Sequence, residues 1–231
     1  MQALPLGMEN LPFYISGSFI AVTLLTFFFL YRASHYNKTL IIFSVAWLLL
    51  QGGLTLSGFY QVRGGVPPRF SLLLIPPVLL IIGLFITKGG RAFLDGFDAG
   101  QLTLLHIVRL PVELILWTLY LYHVVPGRMT FEGGNLDILS GLSAPLMYYF
   151  GYRKPIISRQ WLLVWNITCL LLLVNIVSRA VLSFGQPNFA LFYFPFSWLP
   201  CFVVPAVFLT QLLNLRKLIR AKQNVDFTPR G

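Results

Sequence analysis

Three ionisable residues follow one another at helical spacing within an apolar stretch: His106, Arg109 and Glu113. Offsets of three and four residues place them on one face of a helix, where Arg109 and Glu113 can pair. Ionisable residues at membrane depth are costly, so they usually face the bundle interior and have a partner. This pattern suits a ligand site or a proton relay, or else a buried ion pair that fixes packing. Pro111 frees a backbone carbonyl between them and predicts a kink.

A second polar group is expected near the other end of the bundle. Asp137 and Arg179 lie at matching depths in different apolar stretches, which makes them candidate partners across helices. Asn175 lies one turn before Arg179, and Gln51 adds polarity to another stretch. Together these residues predict a polar pocket that opens to the outside. For Asn175, hydrogen bonding between helices is the alternative interpretation.

The histidines and cysteines do not predict a metal site. His106 and His123 would lie about 25 Å apart on one helix, whereas catalytic zinc needs three close protein ligands. A haem held by His35 and His106 would require their helices to be neighbours, and no cofactor is predicted. Cys169 and Cys201 both lie in apolar stretches and form neither a disulfide framework nor a metal motif.

The elements that carry these residues are predicted to be membrane-spanning helices. Of the 231 residues, 57% are hydrophobic and only 10% are charged, whereas soluble domains carry about 25% charged residues. Lipid is therefore the expected solvent, and continuous apolar runs favour helices over the alternating strands of a barrel. We expect an all-α integral membrane protein with one domain over residues 1–231. Its seven spans are predicted near residues 13–31, 39–60, 70–87, 101–124, 136–150, 161–184 and 191–215.

The basic residues predict the orientation of these spans. Twelve Lys and Arg fall in one set of alternate loops together with the C-terminal tail, against three in the other set. The expected location is the inner (plasma) membrane of the cell. The positive-inside rule then places the N-terminus outside and the C-terminus in the cytoplasm. Residues 216–231 form a basic tail suited to anionic lipid. The net charge of +10 therefore indicates membrane lipid as a partner, not nucleic acid.

The first and last parts of the chain share a spacing pattern that suggests an internal repeat. The matched pairs are Tyr31 with Tyr152, Arg32 with Arg153, Lys38 with Arg159, Pro68 with Pro187, and Pro76 with Pro195. Chance similarity between apolar segments is the alternative. A duplication would give units at residues 13–87 and 136–215, joined by a linker helix at 101–124. Both units would run in the same direction, as parallel repeats do in some transporters.

In architecture the chain resembles families built from three helices, a linker helix and three more: the SWEET and PQ-loop transporters, the KDEL receptor and the microbial rhodopsins. Size and topology match over the whole chain, but the signature motifs of these families are missing. There is no Pro-Gln dipeptide, and the seventh stretch has no lysine for a retinal Schiff base. Residues 132–145 also resemble a segment of uncharacterised bacterial membrane proteins, a likeness that implies no activity.

These features predict a transporter or carrier that holds an unidentified small molecule within the bundle. In that mechanism Asp137 and Arg179 meet the substrate from outside, and the residues around Glu113 form the inner gate or proton-coupling site. One alternative is a receptor, sensor or scaffold for a membrane complex, which binds without flux. Another is a membrane enzyme that acts on a lipid, quinone or haem, although no nucleophile or metal motif accompanies the candidate acid and base.

Overall fold

The computed structural model describes residues 8–62, 68–184 and 189–226, with side chains as far as residue 220. Of the basic residues counted above, Arg63, Arg230 and the side chain of Lys222 lie outside this part of the chain, as does Pro187 of the suggested repeat.

The described residues form helices and no strands, which confirms the all-α prediction. The α-helices are α1 (Phe13–Ala33), α2 (Lys38–Leu56), α3 (Ser71–Ile86), α4 (Lys88–Asp95), α5 (Ala99–Leu105), α6 (Arg109–Leu121), α7 (Ile138–Tyr148), α8 (Arg159–Val181) and α9 (Val204–Asp226). All seven predicted apolar stretches coincide with helices. Only α4 falls in a segment that was expected to be a loop.

Five helical segments are long and apolar enough to cross a membrane. They are Phe13–Ala33, Lys38–Leu56, Ala99–Leu121, Arg159–Val181 and Leu199–Arg220. A sixth would be α3 with α4, which are joined by a bend of 90°. Helix α7 has 11 residues and continues into a π-helix at Tyr149–Arg153, and it falls short of this length. Length and composition thus support five or six of the seven predicted spans.

The centre of the bundle is one composite helix made of α5, a 3-10 turn at His106–Val108 and α6. Helices α1 and α7 pack against both of its halves, and α9 packs against α5. The 3-10 turn interrupts the α-helix where Pro111 leaves the carbonyl of Ile107 without its usual donor. The sequence predicted an irregularity here for that reason. We call this composite element the central helix.

Helix α7 runs antiparallel to the central helix. It begins beside the middle of α6, not beside the C-terminal end of that helix. Gly141 lies against Leu110, and the amide of Gln101 reaches the hydroxyl of Tyr148. Asp137, just before α7, is therefore level with the middle of α6, about two turns short of the end of that helix. The preceding residues 124–136 fold into the bundle in 3-10 turns instead of extending α7. Deep burial of Met129, Thr130 and Asn135 follows from this course.

The close approach of α7 depends on a glycine. A Cβ atom at Gly141 would lie 2.5 Å from the backbone nitrogen of Leu110, a distance that real Cβ atoms do not show. Asp137 lies one helical turn before Gly141 and faces the same way. The contact between Gly141 and Leu110 therefore brings the carboxylate of Asp137 beside Arg109.

Alternate loops meet at opposite ends of the bundle. At one end, the backbone N–H of Asp98, at the start of α5, donates to the carbonyl of Ala33, at the end of α1, over 2.8 Å. At the other end, the N–H of Ala190 donates to the carbonyl of Val124 over 2.8 Å. Loops collect at two opposite ends in this way when successive helices run in opposite directions.

Charge holds α4 to the C-terminal part of α9. The carboxylate of Asp95 pairs with Arg216 at 2.9 Å and with Arg220 at 3.1 Å, and its backbone carbonyl accepts a hydrogen bond from Lys217. The loop expected between the third and fourth predicted spans thus contains a helix. The described part of the basic tail is helical as well, and three of its cations contact this helix.

We expect Gly141→Ala to destabilise the protein by about 1–3 kcal/mol, because the added methyl group overlaps the backbone of Leu110. Gly53→Ala is the matched control, since nothing lies within 4 Å of the corresponding position in α2. It should stabilise the protein by about 0.5–1 kcal/mol through helix propensity. Thermal denaturation of the purified protein in detergent checks both values. Equal effects of the two substitutions would contradict this packing.

Candidate functional site

A buried ion pair joins Arg109 of the central helix to Asp137 at the start of α7. The Nε atom of Arg109 donates to Oδ2 of Asp137 over 2.8 Å, and its Nη2 contacts Oδ1. Nη2 also donates to the carbonyl of Cys169 in α8 over 3.0 Å. Two nitrogens of one planar guanidinium thus hold one carboxylate, which is a strong and directional arrangement. The pairing of Arg109 with Glu113 expected from their spacing is therefore wrong, because α7 supplies a better-placed carboxylate.

Glu113, one turn further along the central helix, is held by an asparagine. The side-chain amide of Asn135 donates to Oε1 of Glu113 over 2.6 Å and to the carbonyl of Met129 over 3.3 Å. Its Oδ1 accepts the backbone N–H of Asp137 over 3.2 Å. Asn135 therefore links the positions of the two carboxylates. Sequence reasoning missed this residue because it follows two glycines in a segment expected to be a loop, although it lies only two residues before Asp137.

Several buried polar atoms around this ion pair have no hydrogen-bond partner in the described part of the chain. They are Nη1 of Arg109, Oε2 of Glu113 and both ring nitrogens of His106. An unpaired buried polar group costs about 1–3 kcal/mol. Such atoms in a folded protein are therefore expected to bind water, a proton or a ligand.

A cavity of about 50 Å³ lies directly beside this group. Its charged lining comes from Arg109, Glu113 and Asp137, and its remaining walls are apolar side chains of α6, α8 and the start of α9. This volume holds a few water molecules. The site therefore combines a donor and an acceptor with space for a small polar group. We call Arg109, Glu113, Asn135 and Asp137 the charged cluster.

His106 is on the same helix but in a different environment. Its ring is fully buried and lies edge-on to Trp165 of α8, with 5.8 Å between the ring centroids. No group of three or more His, Cys, Asp or Glu residues that could hold a metal occurs in the described ranges. A haem between His35 and His106 stays an untested alternative.

Arg179 and Asn175 belong to a separate group near the end of α8. The Nε of Arg179 donates to Oδ1 of Asn175 over 3.0 Å. Its Nη1 donates to the carbonyls of Arg128 and Gly133, over 3.1 and 2.7 Å. Arg179 therefore fastens the segment before α7 to α8. The expected pairing of Arg179 with Asp137 is wrong, since backbone carbonyls satisfy this guanidinium.

Gln51 lies in a third polar group, between α2 and the segment before α9. Its Oε1 accepts a hydrogen bond from the hydroxyl of Tyr60 over 2.5 Å. One turn later in α2, Thr55 donates to Ser197 over 2.8 Å. The hydrogen bonds described for Gln51 thus connect it to this group and not to the charged cluster.

A fourth polar group connects α5, α8 and α9 and was missed by sequence reasoning. The side-chain amide of Gln211 donates to the carbonyl and to Oδ1 of Asn166, over 2.7 and 2.9 Å. Asn214, three residues after Gln211, lies 3.1 Å from the hydroxyl of Thr103. All four residues are fully buried. The available signal was the spacing of Gln211 and Asn214 on one face of an apolar helix.

Comparison with known proteins gives one match. A family model described as "Domain of unknown function (DUF8737)" matches residues 68–219, which is more than half of the chain and includes the whole charged cluster. Gln51, with α1 and α2, lies before the matched region. No curated protein and no solved structure is significantly similar to the chain.

We expect Asp137→Asn to destabilise the protein by about 3–5 kcal/mol, because it leaves the buried guanidinium of Arg109 without a counter-ion. Asp95→Asn is the matched control. It removes the same charge from a half-exposed ion pair, where the loss should be about 1 kcal/mol or less. Thermal denaturation in detergent measures both variants. A loss for Asp137→Asn no larger than for Asp95→Asn would show that the buried pair is not formed.

Proposed function

This chain belongs to the DUF8737 family, and we propose that it is a multi-pass carrier for a small polar molecule in the inner (plasma) membrane. The proposed topology has seven spans, with the N-terminus outside and the C-terminus in the cytoplasm. The five helices long enough to cross a membrane support the location. The asymmetry of basic residues between alternate loops supports the orientation.

The course of residues 124–137 supports a site within the bundle. This segment is largely not α-helical, yet it lies beside α6 and is deeply buried at Met129 and Asn135. In membrane proteins, irregular backbone at membrane depth occurs where it is buried in protein or lines a cavity. Transporters use such interrupted helices to form substrate and ion sites. The short α7, preceded by this segment, would form a crossing of that kind.

One observation carries the proposal. Nη1 of Arg109 and Oε2 of Glu113 are both buried, neither has a hydrogen-bond partner in the described residues, and both residues line the same cavity. The first atom donates a hydrogen bond and the second accepts one or takes up a proton. A small polar molecule with a donor and an acceptor would satisfy both atoms. Arg109 is paired with Asp137, which leaves the unpaired carboxylate oxygen of Glu113 for the proposed proton exchange.

Transport requires that this cavity enlarge and open. At about 50 Å³ it accommodates water but no metabolite. The wall formed by the start of α9 is suited to move, because a π-helix at Leu199–Val203 carries Pro200 and continues into α9 with Pro205. π-Helices and prolines are the usual sites of helix bending. We propose that this segment opens the site.

Uptake into proteoliposomes tests the proposal. Vesicles containing the wild-type protein are offered a pooled panel of amino acids, sugars, nucleosides and organic acids, and their contents are then analysed by mass spectrometry. We expect at least one compound to accumulate above the level in protein-free vesicles. Glu113→Gln should reduce this uptake by about tenfold or more, as expected for loss of a general acid–base group.

Glu132→Gln is the matched control, because Glu132 is exposed and its carboxylate accepts a hydrogen bond from Trp117 outside the cavity. This variant should transport like the wild type. Unchanged uptake in Glu113→Gln would contradict the coupling role. Binding of a panel compound without any uptake would contradict the carrier and favour the receptor alternative.

A further inference from the structure

A second pocket, separate from the charged cluster, lies at the end of the bundle where α1, α5 and α7 meet. It has a volume of about 480 Å³. Three segments that are distant in sequence line it: the turn after α1, the start of α5, and the end of α7. Its lining residues with polar side chains are Arg32, His35, Tyr36, Asp98, Gln101, Tyr148, Tyr152 and Arg153. The proposed orientation places this end in the cytoplasm, at the level of lipid headgroups.

Two arginines that line this pocket form no ion pair within the described residues. The guanidinium groups of Arg32 and Arg153 form no hydrogen bond within the part of the chain that the structure describes, although the backbone carbonyl of Arg32 accepts the N–H of His35. In contrast, Arg109, Arg216 and Arg220 all contact carboxylates. Asp98 also lines the pocket but pairs with neither arginine, so the two guanidinium groups are suited to bind an anion.

Neighbouring groups supply further hydrogen-bonding capacity. The amide of Gln101 donates to the hydroxyl of Tyr148, but its buried Oε1 has no partner in the described residues. The Tyr152 hydroxyl is a further hydrogen-bond donor in the lining, and burial raises its pKa further above neutral pH. Gly100 allows α7 to pack closely against α5, since a Cβ atom at this position would be 3.2 Å from the ring of Tyr148.

We propose that this pocket binds a phosphate group, which Arg32 and Arg153 hold together from the ends of two different helices. A guanidinium offers two parallel N–H donors that match the oxygens of a phosphate. These two arginines are also matched partners in the suggested internal repeat, and the fold brings them to one pocket. The phosphate can belong to a membrane lipid or to a soluble compound. The site does not rely on the carrier function.

Asp98 makes the site selective. Its Oδ1 accepts the backbone N–H of Gln101 over 2.7 Å at the start of α5, so the carboxylate is fixed at the pocket wall. It repels a bare phosphate dianion but accepts a hydrogen bond from a hydroxyl or ammonium group. A phosphodiester that carries such a donor, like the headgroup of phosphatidylglycerol, fits this combination of charges best.

Binding of short-chain lipid to the full-length protein in neutral detergent tests the site. The probes are dioctanoyl phosphatidylglycerol, dioctanoylglycerol without phosphate, glycerol 3-phosphate without acyl chains, and inorganic phosphate. Dissociation constants are measured by microscale thermophoresis. We expect phosphatidylglycerol to bind the wild type most tightly. Arg32→Ala combined with Arg153→Ala should weaken its binding by about tenfold or more, because charge-assisted hydrogen bonds are lost.

The matched control removes two cations from the same end of the bundle without touching the pocket lining. Lys38→Ala combined with Lys154→Ala should weaken binding by less than about twofold, because these exposed charges act only at a distance. Arg32→Lys combined with Arg153→Lys keeps both positive charges but removes the paired N–H donors of the planar guanidinium groups. It should fold like the wild type and bind with intermediate affinity, so a folding defect in the alanine variant does not decide the result.

Each remaining outcome has a definite meaning. Glycerol 3-phosphate binding as tightly as the lipid would support the phosphate site and assign it to a soluble ligand. Dioctanoylglycerol binding as tightly as phosphatidylglycerol would overturn the proposal, as would equal losses in the two double alanine variants or no binding of any phosphate probe. Glu113→Gln should bind phosphatidylglycerol normally, which separates this test from that of the carrier.

Discussion

An arginine and an aspartate that are buried in an apolar bundle must meet, and much of the architecture follows from where they meet. Arg109 lies midway along the central helix, so Asp137 reaches it only if α7 begins beside the middle of that helix and not beside its C-terminal end. Gly141 permits the required contact, and the segment before α7 must fold inward. Asn135 and Arg179 then provide hydrogen bonds that this irregular backbone needs. Buried ion pairs often contribute little net stability compared with apolar residues, which agrees with a role for this pair in positioning a site.

The other polar groups also determine which helices pack together, in other parts of the bundle. In lipid, contacts between apolar helices gain little over contacts with acyl chains, so packing and hydrogen bonds select which helices associate. Gln211 and Asn166 join α9 to α8, and Thr55 joins α2 to the segment before α9. No such hydrogen bond joins α2 to α3 in the described residues, and both helices line an apolar cavity of about 120 Å³. Each polar group thus joins particular helices, and in the charged cluster two residues with atoms unpaired among the described residues, Arg109 and Glu113, line a cavity.

Local patterns in the sequence predicted the helices and the irregularity near Pro111, because both depend on neighbouring residues. Hydropathy and helical spacing also identified Arg109, Glu113 and Asp137 as buried residues. Their partners could not be predicted, since the pairing of Arg109 with Asp137 depends on how far α7 slides along the central helix. That register is determined by Gly141, whose role appears only in three dimensions. Helix α4 was missed because its charged and glycine residues resemble a turn. The seven-span count and the internal repeat stay predictions.

The proposed site depends most on α7 crossing the membrane, because the charged cluster lies within the bilayer only if α7 does so. Glu132→Cys and Lys154→Cys place single reactive thiols on exposed positions before and after this helix. The native Cys169 and Cys201 are buried, so the wild-type chain gives the background for labelling by a membrane-impermeant maleimide. Glu132→Cys should be labelled in intact cells, and Lys154→Cys only after the cells are permeabilised. Labelling of both positions from the same side would show that α7 does not cross, and would contradict the proposed topology and its site.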